Sequence, residues 1–188
     1  VTREFYINDA GNQIKKFGIS LEARYLQLYK DGIEMPEDSY LGADITEHAK
    51  NFAEINGDKY VDCDSETRRK ALVDYALPLN EAGLERDLGR YRIKYDNWFK
   101  ESSLHKDGSV ENIVKMLKEK GYTYEQDGAV WFKAEQFGAD KDFVLVRSNG
   151  IPTYVVPDIA YHYNKLVTRN FDKAIDIFGA DHHGYVPR

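Results

Sequence analysis

The chain opens on an alternation: "REFYIND" places Phe5 and Ile7 on one face and predicts a short strand. In "AGNQIKK", which follows, Gly11 allows a tight turn from strand into helix. Helical spacing then links Leu21, Tyr25, Leu28 and Tyr29, with Ser20 in the position of a cap, and the pattern breaks at "DGIEMPEDSYLG", a loop rich in Gly, Pro and acids. Thr46 is expected to cap a further helix running to about Asn56. The longest periodic run extends from Asp64 to Arg92 through Leu72, Tyr75, Ala76, Leu79, Ala82, Leu84, Leu88 and Tyr91, with Pro78 predicting a kink near its middle.

"IKYDNWFKESS" returns to a strand pattern, Ser109 is expected to cap the helix "VENIVKMLKEKG", and Gly121 ends it. The strongest local signal is "YTYEQDGAVWFK", two aromatic or β-branched runs around Asp127-Gly128, which predicts a type I′ hairpin at an edge or in an insertion. "DFVLVRSNG" reads as a strand closed by Asn149-Gly150, and "PTYVVPDIAYHYNKLVTR" as a helix capped by Thr153. "KAIDIFG" reads as a last buried strand. Strand, helix and strand at that spacing predict a βαβ unit with a parallel pair, hence an α/β fold. Trp98 and Trp131 fall in strand patterns and read as core.

Composition narrows the class. The 188 residues, 42% hydrophobic and 13% aromatic, suit one domain or a domain and a half with a real core. The formal net charge of −6 gives no global footprint for nucleic acid, so a polynucleotide would have to meet a local basic strip or parts of a longer protein. A single cysteine, Cys63, excludes an internal disulfide and a Cys-rich zinc module and suits a reducing cytosol. No apolar stretch approaches the about 18 residues of a membrane span, and "VTREFYIND" lacks the layout of a signal peptide. The expectation is a cytoplasmic chain with no membrane partner, starting without an initiator Met as though cut from something larger.

Ligands of open α/β sheets bind beyond the carboxyl ends of the parallel strands, so the residues that follow each predicted strand are the candidates. Asn8, Asp9 and Asn12 follow the first, Glu101 follows "NWFK", and Gly179, Asp181, His182 and His183 follow the last. Tyr154 and Asp158 are four apart and share a helix face if that helix has begun by residue 153. Two carboxylates and a phenol, if Glu101, Asp158 and Tyr154 converge, complement a planar cation that pairs through two donors, of which guanidinium fits best. Taken singly, each reads better as an ordinary surface acid or helix-end charge, and only the pattern across elements favours a pocket.

"DHH" has three readings: a metal site, donors to phosphate or ribose oxygens with Gly179 and Gly184 letting the backbone approach, or a polar loop closing a core strand. A metal-dependent phosphoesterase of Asp-His-His type would also need an acid pair on another strand end; Asp62 and Asp64 in "VDCDSE" offer one, but fit the cap of the long helix better. Arg68, Arg69, Lys70, Arg86, Arg90, Arg92 and Lys94 alternate with acids along that helix and read as a solvated face rather than an RNA surface. The glycine-rich phosphate loops, the zinc spacings and the G-x-S-x-G element are absent from the sequence.

The blocks "REFYINDAGNQI", "SLEARYLQLY", "YDNWFKESSL", "EKGYTYEQDGAVWFK", "DKDFVLVRSNGIPTYVVPDIAYHYNK" and "FDKAIDIFGADHHGYVPR" resemble, in order and spacing, the central part of bacterial arginyl-tRNA synthetases. The resemblance implies a partial class I catalytic domain of Rossmann-like nucleotide-binding type over 1–188, with 31–95 mainly helical and 109–141 a helix-hairpin connective insertion. It implies that Asn8, Asp9 and Asn12 approach the α-amino and carboxylate end of L-arginine and that Glu101, Tyr154 and Asp158 hold its guanidinium. Gly179, Asp181, His182 and His183 would line the ATP and adenylate site, with Mg2+ accompanying ATP and no tightly bound metal. The implied partners are arginine, ATP and tRNA(Arg), and a lysine ammonium, lacking the planar fork, would be rejected.

This chain departs from the family pattern in lacking the His-x-Gly-His-type element expected before Val1. The second signature loop and the helical anticodon-binding domain expected after Arg188, and the N-terminal domain that meets the tRNA elbow, are also missing from the sequence. The expectation is an arginine–tRNA ligase as parent, with this piece alone inactive. The rivals are the metal phosphoesterase and a non-catalytic, synthetase-like binding module.

Overall fold

The computed structural model describes residues 1–186 and divides the chain into two compact units, one ending at Lys100 and the other beginning at Glu101. In the first unit, β1 (Glu4–Ile7) pairs in parallel with β2 (Asn97–Lys100), Glu4 opposite Asn97 and Ile7 opposite Lys100. Cross-strand aromatics fix this register. Phe5 lies 5.0 Å from Trp98 and 5.3 Å from Tyr95 between ring centroids, and Tyr6 stacks on Phe99 on the other face.

The turn after β1 leads into α1 (Gly11–Leu26), whose first residue has φ +77°, a left-handed conformation that suits glycine. Helix α1 runs through Ser20, which is therefore not the expected cap. Its fully buried hydroxyl donates to the Lys16 carbonyl at 2.6 Å and accepts the Tyr40 N–H at 2.8 Å, fastening the following loop to the helix. Thr46 is likewise inside its helix, α2 (Ala43–Asn56), with Gly42 at the cap. The apolar stripe Ile45, Ala49 and Phe52 begins before Thr46, so the helix must as well.

Helix α3 (Ser65–Arg90) begins as its sequence predicts. Asp64 accepts the Thr67 N–H at 2.9 Å and the Thr67 hydroxyl at 2.8 Å, and these bonds hold its carboxyl below the usual range. The helix continues through Pro78, an exposed position where the Asp74 carbonyl that a proline cannot serve lies on a face in reach of water. Leu72 and Ala76 complete a core of Phe17, Leu21, Tyr25, Ile45, Ala49, Phe52 and Val61, whereas Leu79, Leu84 and Tyr91 further along the same stripe are exposed.

The expected solvated basic face holds at Lys70, Arg86, Arg90, Arg92 and Lys94, which are exposed, but not at Arg68. It is 6% exposed, and its guanidinium donates to Glu22 Oε1 at 2.7 Å and to the carbonyls of Tyr60, Val61 and Cys63. The other Glu22 oxygen takes Arg69.

The second unit begins with a helix that periodicity did not announce, α4 (Glu101–Lys106), followed by α5 (Ser109–Glu119). Ser109 is the first helical residue rather than the cap, and Asp107 accepts its N–H at 2.8 Å. The predicted hairpin forms from β3 (Thr123–Gln126) and β4 (Ala129–Phe132), with Asp127 at φ +52° and Gly128 at φ +73°, the two positive angles of a type I′ turn. Strand β5 (Phe143–Val146) adds antiparallel to β4 with a register irregularity at Val130/Trp131. Helices α4 and α5 pack on α6 (Val155–Tyr163), burying Leu104, Val110, Ile113, Val156 and Ala160.

Thr153 does not cap α6. Its hydroxyl donates instead to the Val144 carbonyl at 2.7 Å, tying the helix start to β5, and Tyr154 occupies the cap position. A π-helical turn, Asn164–Thr168, extends α6. The expected strand in "KAIDIFG" is absent: Lys173 to Gly179 has no ladder partner, and Ile177 is 93% exposed. An extended segment becomes a strand only through a neighbour's backbone, and none is offered here among the described residues, so the expected βαβ pair does not close within them. The parallel pair that does form is β1 with β2.

Candidate functional site

Asn8 and Asp9 follow the carboxyl end of β1, and Asn12 lies in the first turn of α1. The Asp9 N–H turns back to the Ile7 carbonyl at 3.0 Å, and Asn8 and Asn12 are exposed. All three belong to the first unit.

The remaining candidates belong to the second unit. Glu101 is 8% exposed at the first turn of α4, an unusual depth for a carboxylate, and its Oε1 lies 3.9 Å from His105 Nε2. Helix α4 packs against α6, which carries Asp158 in its first turn behind Tyr154 at the cap, with the Asp158 N–H 3.4 Å from the Tyr154 carbonyl. One turn of helix thus sets the spacing predicted from the sequence, and a carboxylate at a helix N-terminus is electrostatically favoured as well. The Tyr154 ring is half exposed. It lines a cavity of about 230 Å³ with Phe143, Val144, Thr153, Val155 and Tyr185.

Tyr185 closes the 3₁₀ segment Ala180–Tyr185, so the cavity joins the start of α6 to the segment that carries Asp181, His182 and His183. Gly179 precedes that segment in extended conformation, and the His182 N–H bonds back to its carbonyl at 2.9 Å. His183 Nδ1 lies 3.1 Å from the Ala180 carbonyl. His182 Nε2 lies 3.5 Å from Asp181, and its ring packs against Phe178 and Tyr185. Both histidines and Asp181 are exposed, so they present donors and an acceptor to solvent. The motif's last two residues, Pro187 and Arg188, lie outside the described residues.

The acid pair that a phosphoesterase reading would need is engaged elsewhere: Asp62 pairs with Lys30 at 3.0 Å and Asp64 caps α3. Among the described residues, no three His, Cys, Asp or Glu side chains converge as a metal-ligand group. Nor is any helix among them long and apolar enough to cross a membrane.

Periodicity gave no hint of a polar cluster behind the loop. Asp176 accepts from the Lys165 ammonium at 2.6 Å and faces His162 Nε2 at 3.0 Å. Burial pushes the Asp176 carboxyl up, but the hydrogen bonds and charges of Lys165 and His162 outweigh it and hold the group below the usual carboxylate range. The signal was there in retrospect: a lone acid within the apolar run Ala174 to Phe178, and a Lys on the buried side of the preceding helix.

The family model described as tRNA synthetases class I (R), catalytic domain, matches residues 12–187. The arginine–tRNA ligase of Caldanaerobacter subterraneus is 61% identical over 186 residues, covering 99% of this chain and 33% of that protein. That of Acetivibrio thermocellus is 59% identical over 190 residues, covering 100% of this chain and 34% of that protein. Among solved structures, a putative arginyl-tRNA synthetase from Campylobacter jejuni superposes with TM-score 0.85 at 36% identity, over 99% of this chain and 40% of that one. The chain spans about a third of the length of the curated relatives it matches.

Proposed function

The chain belongs to the class I tRNA synthetases for arginine, within their catalytic domain and with their α/β fold, and from that premise we propose that it forms the amino-acid-recognising part of an arginine–tRNA ligase. The whole protein would activate arginine with ATP to arginyl-adenylate, releasing pyrophosphate, and transfer it to the 3′ adenosine of tRNA(Arg). In this reading 1–188 is a partial Rossmann-type domain, interrupted by a mainly helical stretch over 31–95 and a helix-hairpin stretch over 109–141.

The observation that carries the reading is the depth of Glu101 on α4, packed against the helix that bears Asp158 and Tyr154. Guanidinium offers five donors in a planar fork, which two carboxylates and a phenol complement. Asp158 and Glu101 would accept from that fork, and Tyr154 would orient it. Asn8, Asp9 and Asn12 would serve the α-amino and carboxylate end. The reaction would be in-line attack of the arginine carboxylate on the α-phosphorus of ATP, which positioning and charge neutralisation accelerate without a covalent enzyme intermediate.

Gly179, Asp181, His182 and His183 would border ATP and the adenylate. The exposed imidazole donors suit phosphate or ribose oxygens, and Mg2+ would arrive with ATP as part of the substrate. The test is amino-acid-dependent exchange of pyrophosphate into ATP by the full-length protein. Exchange with arginine and none with lysine is expected, and the 188-residue chain by itself is expected to be inactive. Exchange indifferent to arginine would overturn the reading.

A further inference from the structure

Between Phe171 and Gly179 the backbone has no ladder; the Phe171 N–H bonds to the Lys165 carbonyl at 3.2 Å, and further along the Asp176 carboxylate ties the stretch to Lys165 and His162. Asp176 Oδ1 meets Lys165 Nζ at 2.6 Å and Oδ2 meets His162 Nε2 at 3.0 Å. Lys165 is 7% exposed, and its ammonium also sits 4.4 Å above the Tyr161 ring. A buried ammonium must keep its partner, so the pairing fixes a definite geometry. The His162 ring is held from its other side, Nδ1 lying 2.9 Å from the Asp158 carbonyl, and in its doubly protonated form the ring donates to both acceptors.

We infer that Lys165 and His162, through Asp176, are positioning residues that fix the path of residues 171–179 on α6, and thereby the placement of the Asp181-His182-His183 segment relative to Tyr154 and Asp158. None of the three is assigned to substrate contact. Asp176 is five residues from Asp181, and His162 is one helical turn from Asp158, so the cluster bridges the two halves of the second unit's site. This inference rests on the reading above for its kinetic consequence and on the geometry alone for its structural one.

Two measurements on the full-length protein separate these consequences. In Lys165→Met, which keeps the buried stem and removes the charge, and in Asp176→Asn, hydrogen–deuterium exchange at the His182 and Val186 amides should accelerate about ten-fold or more. Lys165→Arg, which retains a cation, should restore most of the protection. Unchanged exchange in both variants overturns the inference whatever the enzyme does. In pyrophosphate exchange, the KM for ATP should rise about ten-fold or more while the KM for arginine moves less than about two-fold, as expected of a misplaced nucleotide loop. Equal shifts in both, or none, would also overturn it. Failure of the wild-type protein to respond to arginine would instead defeat the parent reading and leave the exchange result to decide the clamp.

Discussion

Replacing Arg68 with alanine tests the most heavily connected buried group in the first unit. Its side chain is 7% exposed and faces the Glu22 side chain, 8% exposed, at 2.7 Å. It also supplies donors to the Tyr60, Val61 and Cys63 carbonyls, so one guanidinium joins α1, α3 and the loop between α2 and α3. Removing it strands a buried carboxylate, for which the expected cost is about 3–5 kcal/mol. Arg69 still holds the second Glu22 oxygen, but it is 41% exposed and screened by solvent, so it offsets little. For a unit of this size the cost corresponds to a melting shift of about 12–20 °C at roughly 4 °C per kcal/mol. Urea unfolding followed by far-UV circular dichroism should show the midpoint falling with the slope unchanged. The Arg68→Met/Glu22→Met double variant should lose much less than the sum of the single changes, because no buried charge is left unpaired and the Arg69 that loses its partner is 41% exposed. A loss under about 1 kcal/mol, or strict additivity, would refute this reasoning.

The Asp176 carboxyl gives a pH prediction with a definite sign. Its folded pKa lies below the ordinary aspartate value, so its contribution is present above that value and is lost as pH falls through the lowered one. Its carbon resonance should titrate below the ordinary aspartate value, and Lys165→Met should move the midpoint upward; a midpoint that does not move would contradict the ion pair. Gly128→Ala forces a Cβ onto a residue at φ +73° with Ser148 Cβ 3.5 Å away, and should cost about 1–2 kcal/mol by chemical denaturation, a neutral result counting against the I′ turn.

Local chemistry was legible where the partner lies nearby in the chain. Asp64 caps α3 through Thr67, and Asp127-Gly128 dictates the hairpin, because each signal is complete within four residues. Ser20 and Thr153 are not caps for the opposite reason. A hydroxyl's partner is a choice, and Ser20 takes the Tyr40 N–H twenty residues away while Thr153 takes Val144.

Arg68 shows the same limit for charge: alternation with acids looks like a solvated face until Glu22, 46 residues earlier, is brought beside it. The stretch at Ile175 and Ile177 reads as a strand on propensity, yet strand formation depends on a neighbour that the described residues do not supply. For the site, Tyr154 stands at the cap of α6 one turn before Asp158, as their spacing implies, whereas the burial of Glu101 could not be read from its position in the chain. The Lys165–Asp176 pair needed coordinates, since it joins a helix face to a segment without regular structure.

The central claim is that a carboxylate pair reads guanidinium, and it is tested most directly by comparing arginine with citrulline, its neutral near-isostere, in pyrophosphate exchange by the full-length protein. Wild type should prefer arginine by about four orders of magnitude in kcat/KM, the discrimination open to a site built for specific donors. Asp158→Asn should reduce that preference by about 10–150-fold, the loss expected of one charged hydrogen bond worth roughly 1.5–3 kcal/mol, and Glu101→Gln should do the same. A selectivity ratio unchanged in both variants would contradict the account.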